Sequence, residues 1–197
     1  MSQNPPSGSD GDLVYVYKPS LMAAAWELCL RPDALEWQVG RQSGRILYSR
    51  IYRVRLSFRP VTMQTRRFLT EVWWQGGGRL LIASTSWRSL VEQETQDRAY
   101  GIFIRELNRR IAAAGAAAAF ETGAPAMLYW PGLALFAGVA LALAVLTVRA
   151  LEIGAYAGAG LVGGFSVLFA WQSGTYFKRN RPGRYRPDAV PKNLVPE

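Results

Sequence analysis

Two long uncharged runs in the C-terminal half constrain this chain more than any other feature. Leu128–Val148 and Ile153–Trp171 contain no Asp, Glu, Lys or Arg, and only Arg149 and Glu152 carry charge between them. As helices rising 1.5 Å per residue, the runs would extend for about 32 and 28 Å, close to the ~30 Å hydrocarbon core of a bilayer. The sequence therefore predicts a transmembrane helical hairpin over residues 127–177.

The residues that flank the runs indicate an orientation. A hairpin brings the outer ends of the two runs to one membrane face, where aromatic rings favour the headgroup layer. The aromatic residues at these ends are Tyr129, Trp130, Trp171, Tyr176 and Phe177. Basic residues on the same side are Arg109, Arg110, Lys178, Arg179, Arg181, Arg184, Arg186 and Lys192. Because the turn between the runs offers only Arg149, the positive-inside rule predicts that both termini are cytoplasmic.

The remaining sequence is polar and basic. Lys and Arg total 23 against 14 Asp and Glu, an excess typical of a protein that faces anionic headgroups. The single cysteine, Cys29, permits no internal disulfide, as expected for a cytoplasmic domain. Residues 1–20 are predicted to be disordered because they begin with a Ser-, Gly- and Pro-rich stretch, although Leu13–Tyr17 has the composition of a short strand. That beginning contains no apolar run typical of a cleaved signal peptide.

Alternating apolar and polar residues predict short antiparallel strands between residues 21 and 116. The clearest is Ile51–Arg59, where apolar residues face one side and arginines the other. Its predicted inward residues are Tyr52, Val54, Leu56 and Phe58. The other predicted strands are Trp26–Leu30, Leu35–Val39, Arg67–Trp74 and Arg79–Ser84. The period then becomes helical over about Glu92–Ala114. The apolar face of this helix contains Tyr100, Phe103, Ile104, Leu107 and Ile111.

This order of elements is that of a pleckstrin-homology (PH)-like fold, in which a bent antiparallel sheet or barrel is capped by a C-terminal amphipathic helix. The segment Trp26–Ala114 resembles bacterial PH-like domains, above all at Ile46–Leu56. Residues 26–186 are also similar to a group of uncharacterised bacterial membrane proteins, through stretches like Val54–Pro60 and Tyr100–Leu107. The resemblance implies an α+β protein in a bacterial inner membrane. Its predicted parts are a PH-like domain at 21–116, a linker at 117–126, the hairpin and a basic cytoplasmic tail at 178–197.

The composition disfavours an enzyme. With no histidine, the chain lacks imidazole bases, Ser-His-Asp triads and most zinc sites. Glu27, Glu36 and Glu71 lie on separate predicted strands, and their spacing does not indicate a shared site. Cys29 has no neighbouring base to activate it and is interpreted as an ordinary strand residue. No catalytic residue, metal or cofactor is predicted.

Glycines in the second run match the dinucleotide fingerprint G-x-G-x-x-G at 158–163. That motif requires a preceding strand, which an apolar run at membrane depth does not provide. Small residues four apart instead favour close helix packing, either with the other run or with a second copy. The predicted packing residues are Gly138, Gly154, Gly158, Gly160 and Gly164.

Arginines on and near the clearest strand are the most suggestive surface feature. Guanidinium groups bind phosphates and carboxylates in bidentate fashion, although a row of charges is also typical of a solvated strand face. The candidate residues are Arg45, Arg50, Arg53, Arg55, Arg59, Arg66 and Arg67. We expect a membrane-anchored module that binds a protein partner, with homo-oligomerisation open, or alternatively anionic lipid headgroups. Nucleic acid is not expected, because no loop or groove motif accompanies the charge.

Overall fold

The computed structural model describes residues 12–59, 67–88, 93–191 and 194–196 and divides the chain into two compact units. One unit contains the chain up to Gly123 together with everything from Gly183 onward, and the other is Ala124–Pro182. We call the first unit the sheet domain and the second the helical unit. The helical unit is thus an insertion within the sheet domain.

The chain is an α+β protein whose described residues form strands, three α-helices and a short 3-10 turn at Tyr48–Arg50. The strands are β1 (Leu13–Tyr17), β2 (Trp26–Leu30), β3 (Ala34–Val39), β4 (Gln42–Leu47), β5 (Ile51–Phe58), β6 (Phe68–Trp74), β7 (Arg79–Ala83), β8 (Thr85–Trp87), β9 (Gln93–Thr95), β10 (Ala119–Thr122) and β11 (Gly183–Arg184). The helices are α1 (Asp97–Ala113), α2 (Ala126–Glu152) and α3 (Tyr156–Arg179).

The first sheet is built from four consecutive antiparallel strands in the order β1-β2-β3-β4. Its registers pair Tyr17 with Trp26, Leu28 with Trp37, and Leu35 with Ile46. The predicted strands at β2 and β3 are confirmed, and β1 adds one more in front of them. Because β1 belongs to the sheet, the predicted disorder of residues 1–20 is wrong for Leu13–Tyr17, while residues 1–11 lie outside the described residues.

The second sheet has the order β11-β10-β5-β6-β7. The antiparallel strands β5, β6 and β7 match predicted strands. On the other side of β5, β10 runs parallel to it, pairing Thr122 with Leu56, and β11 then pairs Gly183 with Thr122. The linker predicted at 117–126 is therefore wrong over Ala119–Thr122, because these residues form a strand.

Helix α1 packs its predicted apolar face into the core. Tyr100, Phe103, Ile104, Leu107 and Ile111 are all buried, as the helical spacing predicted. The helix begins at Asp97 rather than near Glu92, because Gln93–Thr95 instead pair with β8 as a strand. Gly115, with φ of 66°, ends the helix in the left-handed conformation that favours glycine.

A β-bulge changes which residues of β5 face the core. The register shifts between Ile51 and Arg53, so Ile51 is buried whereas Tyr52 is 43% exposed. The prediction that Tyr52 points inward is therefore wrong, because the extra residue interrupts the alternation. Val54, Leu56 and Phe58 are buried as predicted.

The C-terminal segment is part of the sheet domain rather than a free tail. Leu194 and Val195 are buried in the main core, and Arg105 of α1 donates a 2.8 Å hydrogen bond to the carbonyl oxygen of Pro196. A methyl group at Gly101 would collide with the same carbonyl. The predicted basic tail at 178–197 is therefore wrong for the described residues 183–191 and 194–196, which belong to the sheet domain.

The helical unit is an antiparallel pair of helices joined at Gly154. Tyr129 and Phe136 contact Phe177 at ring-centroid distances of 5.7 and 5.3 Å, and Phe136 also contacts Phe169. The half-buried positions of α2 recur every three or four residues, the spacing of a helix–helix seam. These seam residues of α2 include Leu133, Phe136, Ala140, Leu143 and Thr147.

The predicted packing glycines lie away from this seam. A methyl at Gly138, Gly158, Gly160 or Gly164 would meet no atom within 4 Å, and Gly154 occupies the turn with φ of 75°. They therefore do not mediate contact between α2 and α3, and packing against a second copy stays a prediction. The G-x-G-x-x-G match lies inside α3 with no strand before it, which excludes a dinucleotide loop.

Among the described residues, α2 is the one helix long and apolar enough to cross a membrane. The second predicted span also forms a helix, α3, but its composition falls short of that standard. Five glycines and the polar Gln172, Ser173 and Thr175 dilute its apolar residues. Both helices expose large apolar side chains such as Leu135, Leu161 and Val167.

Candidate interaction surfaces

The predicted row of arginines separates into three environments. Arg53 and Arg55, in the middle of β5, belong to an ion-pair cluster with Glu71 and Glu121. Arg55 lies 2.7 Å from Glu121 and 3.9 Å from Glu71, and its side chain is only 13% exposed. Arg53 approaches Glu121 at 3.5 Å, and both guanidinium groups lie over the ring of Trp73. This cluster neutralises the centre of the row and joins β10 to β5 and β6.

Arg45 and Arg50 lie at a different edge, beside the turn that joins β6 to β7. The turn begins at Gln75, whose backbone N–H donates to the carbonyl of Arg50. Nη2 of Arg45 donates to both carboxylate oxygens of Asp33, and both side chains are more than half exposed. Both arginines line a shallow depression with Trp74, but Arg45 already has an acidic partner.

Arg59 and Arg67 lie at the opposite edge, which we call the linker edge. It is defined by Phe58, Phe68, Ala83 and Thr122, which the strand registers bring to the same end of the five-stranded sheet. The backbone N–H of Arg59 donates to the carbonyl of Arg67. Within the described ranges, none of the ion pairs at 4.0 Å or less involves Arg59 or Arg67. Burial lowers the pKa of Arg67, and Arg66 lies outside the described residues.

The outer face of the four-stranded sheet carries an open depression of about 540 Å³. Cross-strand neighbours Cys29, Glu36 and Arg45 lie across its floor, since Cys29 pairs with Glu36 and Glu36 with Arg45. Arg31 bridges Glu36 at 2.9 Å and also contacts Asp12. Exposed Gln38 and Ser43 complete a mixed-charge, hydrogen-bonding surface.

The three carboxylates considered for catalysis do not converge. Glu27 and Glu36 line the depression on the four-stranded sheet, whereas Glu71 lies buried in the other sheet, 2.8 Å from Arg79. Burial raises the pKa of the Cys29 thiol, which opposes formation of a reactive thiolate. No group of three or more metal-ligating side chains occurs within the described residues.

Sequence reasoning did not find Glu121 or Trp73 as partners of the arginines. Glu121 is 66 residues from Arg55 and reaches it only because β10 lies beside β5. Trp73 is the cross-strand neighbour of Arg53, a pairing that depends on the bulge. The available signal was the alternation of β6, which already put Glu71 and Trp73 on one face.

Comparison of the chain with protein-family models, curated proteins and solved structures finds no match.

Proposed function

We propose that this chain is a membrane-anchored, non-enzymatic interaction module of the bacterial inner membrane. In this proposal a PH-like sheet domain is cytoplasmic, α2 and α3 both cross the bilayer, and the domain presents a surface to a protein partner. The observation that carries the proposal is the pairing of β10 with β11 around an inserted apolar helix pair. Anchoring at a membrane concentrates the domain near its partners, so weak contacts suffice for binding.

The β10–β11 pair supports two crossings rather than one. Thr122 precedes α2 and Gly183 follows α3, and these residues are hydrogen-bonded neighbours in one sheet. If α2 crosses the membrane, the chain must cross back before Gly183. α3 has 24 residues, about 36 Å of helix, which is enough to return. Its glycine-rich composition is tolerable because α2 covers one of its faces.

The element order supports a PH-like domain. Four antiparallel strands form one sheet, β5–β7 form the core of the next, and α1 buries its apolar face against them. The hairpin β8–β9 and the strands β10 and β11 are additions to that pattern. Since this architecture hosts many binding roles, the partner class depends on the surface.

The outer face of the four-stranded sheet supports a protein partner. Its arginines and carboxylates offer directional hydrogen bonds across an open depression, which suits the polar part of a protein interface. Its internal ion pairs hold Arg31 and Arg45 in place, so binding would order fewer side chains.

The anchoring is tested by cysteine accessibility in the full-length protein. In a Cys29→Ser background, Ala155→Cys in the α2–α3 turn should react with a membrane-impermeant maleimide from the periplasmic side. The exposed Asp188→Cys should react only after the inner membrane is opened. Labelling of both cysteines from one side would rule out the two-span arrangement.

The partner surface is tested by photo-crosslinking in living cells. A photoreactive amino acid at exposed Gln38 should give a discrete adduct with one protein, whereas the same group at exposed Gln75 should not. The adduct at Gln38 should disappear with Ser43→Arg and survive Ser49→Arg, which alters an exposed serine away from that face. Equal adducts at Gln38 and Gln75, or none, would contradict a protein partner on this sheet.

A further inference from the structure

One edge of the four-stranded sheet is open. In the order β1-β2-β3-β4, the strand β4 pairs with β3 on one side and with no described strand on the other. Its first four residues, Gln42–Arg45, are exposed or half-exposed. An edge strand of this kind presents backbone N–H and C=O groups that can pair with another chain. We call this part of the strand the β4 edge.

The register of the β3–β4 hairpin shows which backbone groups of the β4 edge are open. The N–H of Tyr48, directly after β4, donates to the carbonyl of Asp33, directly before β3. In an antiparallel pair, the residues that bond to the neighbouring strand alternate along the chain. Gly44 therefore bonds to β3, whereas the N–H and C=O groups of Ser43 and Arg45 point away from it. None of these outward groups has a hydrogen bond to another described residue.

Other strand edges of the sheet domain already have contacts. The strand β10 lies beside β5. At β7, the carbonyls of Leu81 and Ala83 accept hydrogen bonds from the hydroxyls of Tyr17 and Tyr15. Lys18, which directly follows β1, is hydrogen-bonded to β8. These contacts obstruct the pairing of a further chain there, so β4 is the best placed edge in the described structure.

Trp37 supplies an apolar contact on the inner side of the β4 edge. Trp37 pairs with Gly44, and a methyl group at Gly44 would lie 2.6 Å from the indole ring. The half-buried ring therefore lies directly against the backbone of β4. In a strand added to β4, the residue opposite Gly44 has its side chain on the same face as this ring. An apolar side chain suits that position, because cross-strand contact with an aromatic ring is favourable.

The charge of the β4 edge favours an acidic segment. Residues 41–50 contain three arginines, Arg41, Arg45 and Arg50, and no Asp or Glu. All three are exposed, and the ion pairs among the described residues engage only Arg45, through Asp33. Pairing this edge with the same edge of a second copy would bring arginines together, which is unfavourable. Carboxylates opposite Ser43 and Arg45 are attracted instead.

We propose that the protein partner adds an extended acidic segment to β4 as a fifth strand of this sheet. Backbone hydrogen bonds to Ser43 and Arg45 hold the segment, its carboxylates face Arg45, and an apolar residue between them contacts Trp37. This inference rests on the proposed function and specifies the chemistry of the partner. The segment continues the outer face of the sheet, because Ser43 and Arg45 also line the depression on that face.

Proline substitution tests whether the partner pairs with the backbone of β4. Ser43→Pro removes an N–H that points away from β3, so it blocks an added strand and leaves the β3–β4 hydrogen bonds in place. In cells, it should abolish the adduct from a photoreactive group at Gln38, the cross-strand neighbour of Ser43. Ser43→Ala, which keeps the N–H, should retain the adduct.

The same experiment separates this inference from the proposed function. If the adduct at Gln38 survives Ser43→Pro, the partner binds the outer face without adding a strand, and the inference is wrong while the proposed function stands. If the otherwise unchanged protein gives no adduct at Gln38, the proposed function fails and the inference fails with it.

A peptide probe tests the acidic character of the segment. The probe is a fluorescein-labelled hexapeptide of alternating aspartate and valine, titrated into the full-length protein in mild detergent and followed by anisotropy. We expect Ser43→Pro and Arg45→Glu each to weaken binding about tenfold, and lysine in place of aspartate in the probe to do the same. Arg59→Glu, the same charge reversal at an exposed position next to β5, is the matched control and should leave binding unchanged.

Three results would overturn the proposal. The first is equal affinity for the aspartate and lysine probes. The second is an effect of Arg59→Glu as large as that of Arg45→Glu, which tests the edge even if Ser43→Pro fails to fold. The third is a dimer, measured by light scattering, that dissociates with Ser43→Pro, since a second copy would then occupy the β4 edge.

Discussion

The two sheets of the sheet domain are assembled in different ways. The four-stranded sheet uses consecutive strands joined by short connections, and its ion pairs are largely exposed, as at Arg45 and Asp33. The five-stranded sheet recruits β10 and β11 from either side of the helix pair, and its central ion pairs are largely buried, as at Arg55 and Glu71.

The two sheets differ in whether their strand pairing depends on nearby or on distant parts of the sequence. A hairpin register depends on the turn and on alternation within a few residues, so nearby sequence carries the information. Pairing β10 with β5 requires closing a long loop of chain. The free energy gained by the pairing therefore appears only once the domain has folded. We therefore expect the five-stranded sheet to be more sensitive than the four-stranded sheet to single substitutions in the elements that join it from distant parts of the chain.

The largest effect is expected where the C-terminal segment enters the core. Leu194→Ala should lower the free energy of unfolding by about 2–5 kcal/mol, because it leaves a cavity at a buried site. Denaturant titration of the full-length protein in mild detergent, followed by tryptophan fluorescence, measures this change. Asp188→Ala, at an exposed position of the same segment, should change stability by less than about 0.5 kcal/mol. Equal small effects would mean that the segment is not part of the core.

The next effect compares ion pairs in the two sheets. Arg55→Met should destabilise by about 2–3 kcal/mol, because it leaves Glu121 and buried Glu71 with fewer cationic partners. Arg45→Met should cost less than about 1 kcal/mol, since its pair with Asp33 is exposed. Only the second cost should shrink as salt is added. Comparable costs and salt dependence would contradict the distinction between the sheets.

A smaller effect tests how α1 is joined to the four-stranded sheet. Hydrogen bonds from Arg109, supported by Arg110, lower the pKa of Glu106 to about 2 from its model-compound value of 4.5. Arg110 also donates 2.8 Å hydrogen bonds to the carbonyls of Leu30 and Arg31 at the end of β2.

Because its folded-state pKa is lowered, Glu106 stabilises the fold fully above pH 4.5, and this contribution disappears as the pH falls towards about 2. Glu106→Gln should cost about 1 kcal/mol at neutral pH, as expected for an ion-pair network that is only partly buried. The difference from the parent protein should vanish in acid. A difference that persists at low pH would point to packing rather than charge.

The smallest effect tests the bulge in β5. Tyr52→Ser should change the free energy of unfolding by less than about 0.5 kcal/mol, because the ring is substantially exposed. Its buried neighbour gives the reference: Ile51→Ala should cost about 2–5 kcal/mol. A larger loss of unfolding free energy for Tyr52→Ser than for Ile51→Ala would indicate simple alternation and contradict the bulge.

Much of the local structure is predictable from particular residues. Alternation identifies β2, β3, β5, β6 and β7, and helical spacing identifies the buried face of α1. The bulge at Ile51 is not predictable, because Ile51 and Tyr52 are both apolar. The sequence therefore does not show which of the two is the extra residue. For the candidate site, composition singles out the arginines, but nothing local shows that Glu121 neutralises Arg53 and Arg55 whereas Arg59 is left without a described acidic partner.

The sequence by itself determined the properties that depend on neighbouring residues: an α+β composition, a helix with an uncharged run long enough to cross a membrane, and an amphipathic helix after a series of strands. Only the tertiary structure decided that residues 183–191 and 194–196 belong to the sheet domain and that the arginines divide among three environments. The physical reason is range. Periodicity and helix length depend on residues close together in the sequence. The β10–β11 pairing and the burial of Val195 instead bring together residues far apart in the sequence, and the free energy of these contacts is gained only after long loops close.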